Sequence, residues 1–214
     1  MKIGIMGSGD VAKALGSGFI RHGHDVRMGT RTPAKLAEWS AQNPKARITG
    51  VAEAAEFGEV VVLAVKGTAA SDVLRAAGAD HLKGKVVIDA TNPIAEAPPE
   101  GGVLKFFTSL DESLMERLQK ACPGARFVKA FNSVGHALMV DPKLPGGRPT
   151  MFICGEDALA KEIVGTVLEQ FGWEAADMGP AAAARAIEPL CMLWCIPGFL
   201  RNDWAHAFKL LKAG

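Results

Sequence analysis

A glycine-rich turn near the start of the chain has the spacing of a dinucleotide site. An apolar run, Lys2–Met6, leads into the segment GSGDVA, which has the pattern G-x-G-x-x-A. In that pattern Gly7 permits a tight turn, Gly9 lets a pyrophosphate approach the backbone, and Ala12 allows a helix to pack closely on the strand. The phosphates would lie at the N-terminus of the helix that begins at Asp10, where free N–H groups and the helix dipole attract anions. The alternative is a helix start whose glycines serve packing alone.

The end of the next predicted strand distinguishes between the two nicotinamide cofactors. An NAD site places Asp or Glu there to bind the ribose 2′-hydroxyl. Here the strand ends in Thr30 and Arg31, and Lys35 follows four residues later. These side chains suit a 2′-phosphate, which an arginine can bind through two parallel hydrogen bonds. The sequence therefore predicts NADP(H), unless Arg31 and Lys35 only solvate the helix that follows.

Three further segments come at the carboxyl ends of predicted strands. Ligands of open α/β sheets bind along that edge, so these segments are predicted to contribute to the cofactor site. They are Ala64, Val65 and Lys66, then Asn92 and Pro93, and then Ala130 and Asn132. Other interpretations stay open, because each asparagine could cap a turn and Lys66 could be a solvated loop residue.

The supply of proton donors limits the chemistry that this edge could perform. The chain contains no tyrosine, which excludes every mechanism built on a catalytic tyrosine. Reduction of a carbonyl needs a donor beside the substrate oxygen, and the candidates are His136, Lys66 and Lys129. His136 is the candidate catalytic residue, and its alternative role is to pack or hydrogen-bond at the site as a neutral ring. A hydride passed between two ring carbons needs no such donor.

Strands and helices alternate along the chain and would bring these segments to one edge. Apolar runs predict the strands Lys2–Met6, Val26–Thr30, Val60–Val65, Val86–Asp89, Arg126–Phe131 and Met151–Cys154. Apolar residues recur at helical spacing from Val11 to Phe19 and from Ala160 to Phe171. This alternation implies right-handed crossovers and a parallel sheet covered on both faces. The predicted fold is α/β, a Rossmann-type doubly wound parallel sheet with a short helical C-terminal extension.

The chain changes character after Gly179 and Pro180. The segments AAAARAIEPLCMLWC and FLRNDWAHAFKLLK, separated by a Pro-Gly break, predict two helices that are apolar on most faces. So short a region cannot form a core of its own, and its helices must bury against the sheet or a second subunit. We therefore expect an NADP-binding domain over residues 1–178, a helical region over residues 179–214, and a homodimer.

Composition excludes several classes of partner. The 214 residues include 24 Lys and Arg against 23 Asp and Glu, so no nucleic-acid surface is predicted. The longest apolar run, Pro189–Leu200, is too short to span a bilayer, and the N-terminus does not resemble a signal peptide. The four cysteines lack metal-binding spacing and indicate free thiols in a reducing compartment. We expect a soluble cytoplasmic protein that acts on a small molecule and holds no metal.

Several segments together resemble the family of reductases that pass hydride between NADPH and coenzyme F-420 (F420), an 8-hydroxy-5-deazaflavin. They are MKIGIMGSGDVAKAL, GTRTPAK, LAVKG, DATNP, VKAFNSVGHALMVDP, MFICGED, ARAIEPLCMLWC and HAFKLLK, and they span nearly the whole chain. The resemblance implies a Rossmann domain with a small helical C-terminal region. It also implies a homodimer and a deazaflavin held against the nicotinamide.

Carried over by position, the resemblance implies roles for residues at three places. The phosphates would meet Ser8, Gly9, Asp10 and Val11. The 2′-phosphate would be held by Thr30, Arg31 and Lys35. The stretch Asn132–His136 would border the nicotinamide.

The chain departs from the archaeal members of that family at two places. It has Lys66-Gly67 where they have a Pro-Trp pair, and its C-terminal segment is rewritten around Trp194 and Trp204. That segment helps to form the deazaflavin pocket in the family. The acceptor is therefore F420 or another flavin-like molecule, or else a small carbonyl, imine or metal-chelate substrate. A third alternative is a non-catalytic protein that binds NADPH or senses redox state.

Overall fold

Six parallel strands form the central sheet of the protein. The computed structural model describes residues 1–213, and Gly214, the last residue of the expected C-terminal region, lies outside the described residues. The strands are β1 (Lys2–Met6), β2 (Asp25–Gly29), β3 (Arg47–Thr49), β4 (Val60–Leu63), β5 (Val86–Asp89) and β6 (Arg126–Lys129). Their order is β3-β2-β1-β4-β5-β6, so the chain reverses direction across the sheet between β1 and β4. Ligands bind at such a reversal, outside the carboxyl ends of the strands.

Helices cover both faces of this sheet, as predicted for a doubly wound fold. They are α1 (Asp10–Arg21), α2 (Ala37–Gln42), α3 (Val51–Phe57), α4 (Gly67–Ala77), α5 (Ala79–Leu82), α6 (Leu114–Ala121), α7 (Ala158–Gln170) and α8 (Ala184–Arg201). Successive strand residues point to opposite faces. In β4, Val60 and Val62 join the core that includes α1 and α7, whereas Val61 and Leu63 join the core that includes α4 and α6. This two-sided burial explains why the strands are continuous apolar runs.

The last predicted strand lies outside the main sheet. β7 (Thr150–Ile153) pairs with β8 (Glu174–Asp177) in a separate parallel two-stranded sheet. One antiparallel bridge, between Lys129 and Cys154, joins it to β6, and the Lys129 N–H donates to the Cys154 carbonyl at 3.0 Å. The sequence predicted this strand but not its separate sheet, because an apolar run does not specify its partner.

The C-terminal helix is confirmed, but the prediction of two helices is wrong. α8 continues through Pro197 and Gly198, and it ends where Asn202 adopts a left-handed conformation with φ 55°. The rest of the described chain, residues 202–213, contains no helix. It turns back along α8, and Trp204 packs so closely that a Cβ on Gly198 would lie 2.2 Å from its ring. The Gly198 position thus receives an aromatic ring rather than breaking the helix.

Hydrogen bonds to Trp194 and to β7 hold the returning segment in place. The Trp194 indole N–H donates to the His206 carbonyl at 2.8 Å, and His206 Nε2 lies 3.0 Å from the Trp194 carbonyl oxygen. The segment then reaches β7, where the Thr150 N–H donates to the Phe208 carbonyl at 2.8 Å. Because these backbone groups find partners across the fold, the segment does not need helical hydrogen bonds.

One apolar helix has the length of a membrane span. Together with the turn before it, α8 covers Ala181–Arg201, which is 21 residues, and it is the one such helix in the described chain. The apolar run Pro189–Leu200 is shorter than a span, as expected, but the helix extends beyond this run on its N-terminal side. The core helix of a soluble protein also meets this criterion. Residues such as Ile187, Cys191 and Trp194 are buried against the rest of the protein.

Candidate cofactor site

A cavity of about 760 Å³ opens at the carboxyl edge of the sheet, where β1, β4 and β5 end. Its lining includes a majority of the residues predicted to bind a cofactor. Those are Ser8, Gly9, Asp10, Val11, Lys35, Ala64, Val65, Lys66 and Asn92. They come from four separate loops, and the parallel sheet brings the loops together at one end. The volume falls within the range of cofactor and substrate pockets.

The glycine turn leaves room for a phosphate against the backbone. Gly7 has φ 148°, and a Cβ there would lie 2.2 Å from the Ala64 carbonyl oxygen, so the turn requires glycine. A Cβ on Gly9 would have no atom within 4 Å, which means that open space adjoins the backbone. α1 begins at Asp10 without a side-chain cap at Gly9. The first N–H groups of α1 therefore have no partner within the helix, and they and the helix dipole favour an anion.

Cationic side chains lie beside the end of β2. Lys35 lines the cavity, and Arg31 is exposed in the loop that follows β2. Neither makes an ion pair with a carboxylate of the described chain, so both positive charges are available to a ligand. Thr30 is buried, and its hydroxyl oxygen accepts a hydrogen bond from the Thr32 N–H at 3.1 Å. No acidic residue lies at the end of β2 to bind a ribose 2′-hydroxyl, so this end of the cavity fits a 2′-phosphate.

The opposite end of the cavity lies where β4 and β5 end. A Cβ on Gly67 would lie 2.0 Å from the Asn92 carbonyl oxygen, so the start of α4 packs directly on the loop after β5. The Asn92 amide donates to the Asn132 carbonyl at 2.7 Å, and the Asn132 amide donates to Asn92 Oδ1 at 3.2 Å. The Oδ1 atom of Asn132 is buried and has no hydrogen-bond partner in the described chain. The structure thus joins the ends of β5 and β6 through two asparagines.

Other predicted residues lie near the cavity without lining it. Gly7, Pro93, Ala130 and Asn132 are buried beneath the wall. Thr30, Arg31 and His136 also lie outside the lining. His136 is exposed after β6, and its neighbour Gly135 contacts the ring of Trp194. The catalytic role of His136 stays a prediction.

One candidate proton donor is excluded by burial. Lys129 is fully buried, and its Nζ lies 2.7 Å from Asp89 Oδ2 and 3.0 Å from Glu188 Oε1. Burial lowers the pKa of an ammonium group, but the two carboxylates outweigh that effect and hold the pKa of Lys129 above its ordinary value. Lys129 cannot reach a substrate, so the prediction that it is a possible proton donor was wrong. The signal for this ion cluster in the sequence was a charged residue, Lys129, at the end of a buried strand.

Several cavity residues were not predicted. The wall also contains Thr68, Ala90, Ile94, Ala95, Glu96 and Ala97. Most belong to the loop after β5, which folds back on itself: the Ala95 N–H donates to the Lys105 carbonyl at 2.8 Å, and the Phe107 N–H donates to the Pro93 carbonyl at 2.9 Å. The abundance of Pro and Gly indicated a loop, but its position over the sheet edge depends on these distant contacts.

Of the C-terminal region, residues 179–213, which the structure describes, contribute nothing to the lining of this cavity. A second, smaller cavity of about 230 Å³ lies between residues 144–149 and residues 205–209 of the returning segment. The assignment of the C-terminal region to an acceptor pocket therefore stays a prediction.

Comparisons with known proteins place these features in a family. A family model described as "NADP oxidoreductase coenzyme F420-dependent" matches residues 2–93. A candidate F420-dependent NADP reductase from Arthrobacter sp. FB24 has a crystal structure that superimposes with a TM-score of 0.92. It is 32% identical, and the match covers 99% of this chain and 100% of that one. The F420-dependent NADP reductase of Methanocaldococcus jannaschii is 29% identical over 206 residues, which are 90% of each chain.

A second group of relatives is much longer than this chain. Metalloreductase STEAP3 of Rattus norvegicus is 32% identical over 204 residues, which are 93% of this chain but 39% of that protein. The chain spans 39% and 40% of the length of the two STEAP metalloreductases first matched. The similarity to the Arthrobacter protein, in contrast, extends over both chains and over the glycine turn, the sheet and the C-terminal helix. The chain therefore belongs to the family of coenzyme F420-dependent NADP oxidoreductases.

Proposed function

We propose that this protein is an NADP-dependent oxidoreductase that transfers hydride between NADP(H) and F420 or another flavin-like acceptor. The observation that carries the proposal is the composition of the edge cavity. Open backbone at Gly9 adjoins the free N–H groups of α1, and Arg31 and Lys35 supply unpaired positive charge beside the end of β2. Family membership supports F420 as the acceptor.

The residues of the chain fit an extended dinucleotide across the cavity. The pyrophosphate would bind at Gly9 and the start of α1, and the 2′-phosphate would bind at Arg31 and Lys35. These two anchor points direct the other half of the cofactor towards Ala90 and Asn92, at the end of β5. When bound, the nicotinamide and the deazaflavin supply hydride donor and acceptor chemistry. The task of the protein is then to bind, align and shield two rings.

None of the three proton donors considered from the sequence is enclosed at the cavity, which favours hydride transfer between ring carbons. Lys129 is locked in a buried ion cluster, and His136 lies outside the cavity wall. Lys66 lines the cavity but is exposed to solvent. Reduction of a carbonyl or imine needs a proton at the substrate, whereas transfer to a deazaflavin carbon does not need one at the reacting atoms. The geometry therefore supports a ring acceptor over a small carbonyl or imine.

A metal chelate is the second candidate acceptor, because the STEAP relatives are named metalloreductases. NADPH delivers two electrons as one hydride, whereas a ferric or cupric chelate accepts one electron at a time. No side chain of the described chain can accept the two electrons of a hydride and pass them on one at a time. A metalloreductase activity would thus need a flavin between the nicotinamide and the metal, so the nearest acceptor is a flavin-like ring in both cases. A non-catalytic NADPH-binding role is the third candidate.

The assembly and location are part of the same proposal. We take residues 1–178 as the NADP-binding domain and residues 179–214 as the region for dimer contact and the acceptor pocket. α8 and the segment after it expose Leu193, Phe199, Leu200 and Trp204, which supports a homodimer through this face. The nearly balanced charge supports a protein without a nucleic-acid partner. We place it in the cytoplasm, as a soluble protein with α8 packed on the sheet domain rather than in a membrane.

The decisive experiment mixes the purified protein with NADPH and oxidised F420 and follows the deazaflavin absorbance. We expect rapid bleaching with NADPH and much slower bleaching with NADH. Arg31→Ala should raise the KM for NADPH about 10- to 100-fold, because a phosphate hydrogen bond to a charged group contributes about 1.5–3 kcal/mol. Lys83→Ala is the matched control. Lys83 precedes β5, at the amino ends of the strands and away from the cavity, so its loss should leave the KM for NADPH unchanged.

Each alternative gives a different result. Tight NADPH binding without bleaching of F420, but with reduction of FMN or FAD, would move the acceptor to a flavin. Turnover only with carbonyls or imines, lost in His136→Ala or Lys66→Ala, would favour the small-substrate alternative. No NADPH oxidation with any acceptor would leave the non-catalytic role. Equal affinity for NADPH and NADH in the parent protein would contradict the NADP assignment.

A further inference from the structure

We infer that the buried charges Asp89, Lys129 and Glu188 position the wall of the cavity that meets the nicotinamide half of the cofactor. This inference rests on the proposed function, because it assumes that NADP(H) occupies the cavity with its nicotinamide towards Asn92. The three side chains are positioning residues, since none of them lines the cavity.

The cluster is isolated from solvent and linked by short contacts. Lys129 and Asp89 have no exposed side-chain surface, and Glu188 has 2%. The Lys129 Nζ lies between the two carboxylates, 2.7 Å from Asp89 and 3.0 Å from Glu188. One ammonium and two carboxylates give a net charge of −1. The positive end of α6 offsets it, because Glu188 accepts hydrogen bonds from the N–H groups of Leu114 and Met115 at 2.9 and 3.0 Å.

The cluster forms hydrogen bonds with the loop that forms the cavity wall. Lys129 Nζ donates to the Thr91 carbonyl at 2.9 Å. Asp89 Oδ1 accepts from both the Thr91 N–H at 2.9 Å and the Thr91 hydroxyl at 2.6 Å. Thr91 thus has its donors and its carbonyl bound by charged groups, and hydrogen bonds to charged groups are among the stronger ones. Ala90 and Asn92, on either side of Thr91, both line the cavity.

The same network fixes the two asparagines and α8. Asn92 and Asn132 bond to one another, and the Asn132 amide also donates to the Ile187 carbonyl, next to Glu188 in α8. Phe131 precedes Asn132 with φ 61°, a conformation that costs a residue with a side chain about 1–2 kcal/mol. Burial of the Phe131 ring holds that turn, which directs Asn132 towards Asn92. Loop, strand end and C-terminal helix are therefore linked through buried polar groups.

A purely stabilising role explains this cluster poorly. Replacing a buried ion cluster by well-packed apolar residues is often neutral or stabilising, so charges are not needed to fill this space. Their directional hydrogen bonds instead determine where the Thr91 backbone lies, and apolar packing would not. A wall held in this way keeps one geometry for the ring that lies against it, which is what hydride transfer at ~3–3.5 Å requires.

The test changes Thr91, because Lys129→Met would leave two carboxylates facing each other in the core and the fold could be lost. Thr91→Val keeps the shape of the side chain and removes the hydroxyl that donates to Asp89. Thr91→Ser keeps the hydroxyl and is the matched control. Calorimetry would measure Kd for NADPH and for 2′,5′-ADP, which has the 2′-phosphate end and lacks the nicotinamide.

We expect Thr91→Val to weaken NADPH about 5-fold or more, because a less fixed wall at Ala90 and Asn92 must be ordered when the nicotinamide half binds, and to leave 2′,5′-ADP within about twofold of the parent. Thr91→Ser should bind both ligands within about twofold of the parent. With 4-deuterated NADPH and F420, Thr91→Val should also lower kcat and raise the primary isotope effect. This shift would show that alignment of the rings, rather than release of product, has become limiting.

Two results would overturn the inference. One is a Thr91→Val protein that binds NADPH as tightly as the parent, and the other is an equal loss of both ligands, which a general weakening of the fold would produce. The binding assay does not need an acceptor. A parent protein that binds NADPH without reducing F420 would refute the proposed acceptor, and the ratio of the two Kd values would still decide the role of the cluster.

Discussion

The two glycines of the turn after β1 should respond to the same substitution in opposite ways. Gly7→Ala would place a Cβ 2.2 Å from the Ala64 carbonyl oxygen in a backbone conformation with φ 148°. Gly9→Ala would place its Cβ in open space. The backbone there has φ −83° and ψ −178°, which alanine adopts without strain. The first change should damage the fold, and the second should damage cofactor binding alone.

The magnitudes follow from these distances. A carbon and a carbonyl oxygen approach to roughly 3.3 Å, so Gly7→Ala must move the turn by about 1 Å. Overpacking of this kind costs about 1–3 kcal/mol, and the positive φ raises the total to about 2–4 kcal/mol. For a chain of this length, that lowers Tm by about 5–12 °C. Gly9→Ala should leave Tm unchanged or raise it slightly, because alanine has less freedom to lose on folding.

Binding separates the two variants further. In Gly9→Ala the methyl group occupies the space that a pyrophosphate needs to reach the N–H groups of α1. The loss of one such charge-assisted hydrogen bond weakens NADPH about 10- to 100-fold. Thermal unfolding and calorimetric titration with NADPH would measure both effects on the same samples. A Gly9→Ala protein that binds NADPH like the parent would refute the placement of the phosphates, and an unchanged Tm for Gly7→Ala would refute the steric argument.

Two further predictions concern stability and assembly. The Arg185 guanidinium lowers the pKa of Glu116 to about 2, so the ion pair stabilises the fold above pH ~4.5 and the contribution is lost as the pH falls towards 2. Because Arg185 is 43% exposed, we expect the ion pair to contribute about 1–2 kcal/mol to the free energy of unfolding. Glu116→Gln should therefore reduce the loss of unfolding free energy between pH 5 and pH 2. An unchanged pH dependence in this variant would refute the prediction. Leu200→Glu should convert dimers to monomers in sedimentation velocity, whereas Leu159→Glu on α7 should not; a parent that sediments as a monomer would refute the dimer.

The fold was largely predictable because its determinants are local. The strands of a sheet covered on both faces are continuous apolar runs, and Val60–Leu63 is recognisable without knowing its partners. The turn at Gly7 and the helix start at Asp10 depend on neighbouring residues only. The basic residues Arg31 and Lys35 are positioned by the strand that precedes them. These features therefore appear in the sequence in the order and spacing that the structure shows.

The structural prediction was wrong or incomplete where contacts between residues far apart in the sequence determine the structure. The segment after Arg201 was predicted to be helical, but it gains more from packing Trp204 on Gly198 and bonding His206 to Trp194 than from helical hydrogen bonds. Similarly, Lys129 was predicted to be a possible proton donor. The fold instead brings two carboxylates to its ammonium group, from 40 positions before it and 59 positions after it.

The sequence by itself determined the sheet, the glycine turn after β1 and the basic residues after β2, since each depends on residues close together in the chain. Only the tertiary structure decided which loop walls the cavity and which buried charges hold it. Those charges are far apart in sequence, and the free energy of burying them is acceptable only when all three meet. No single one of Asp89, Lys129 and Glu188 carries a signal that the other two are near.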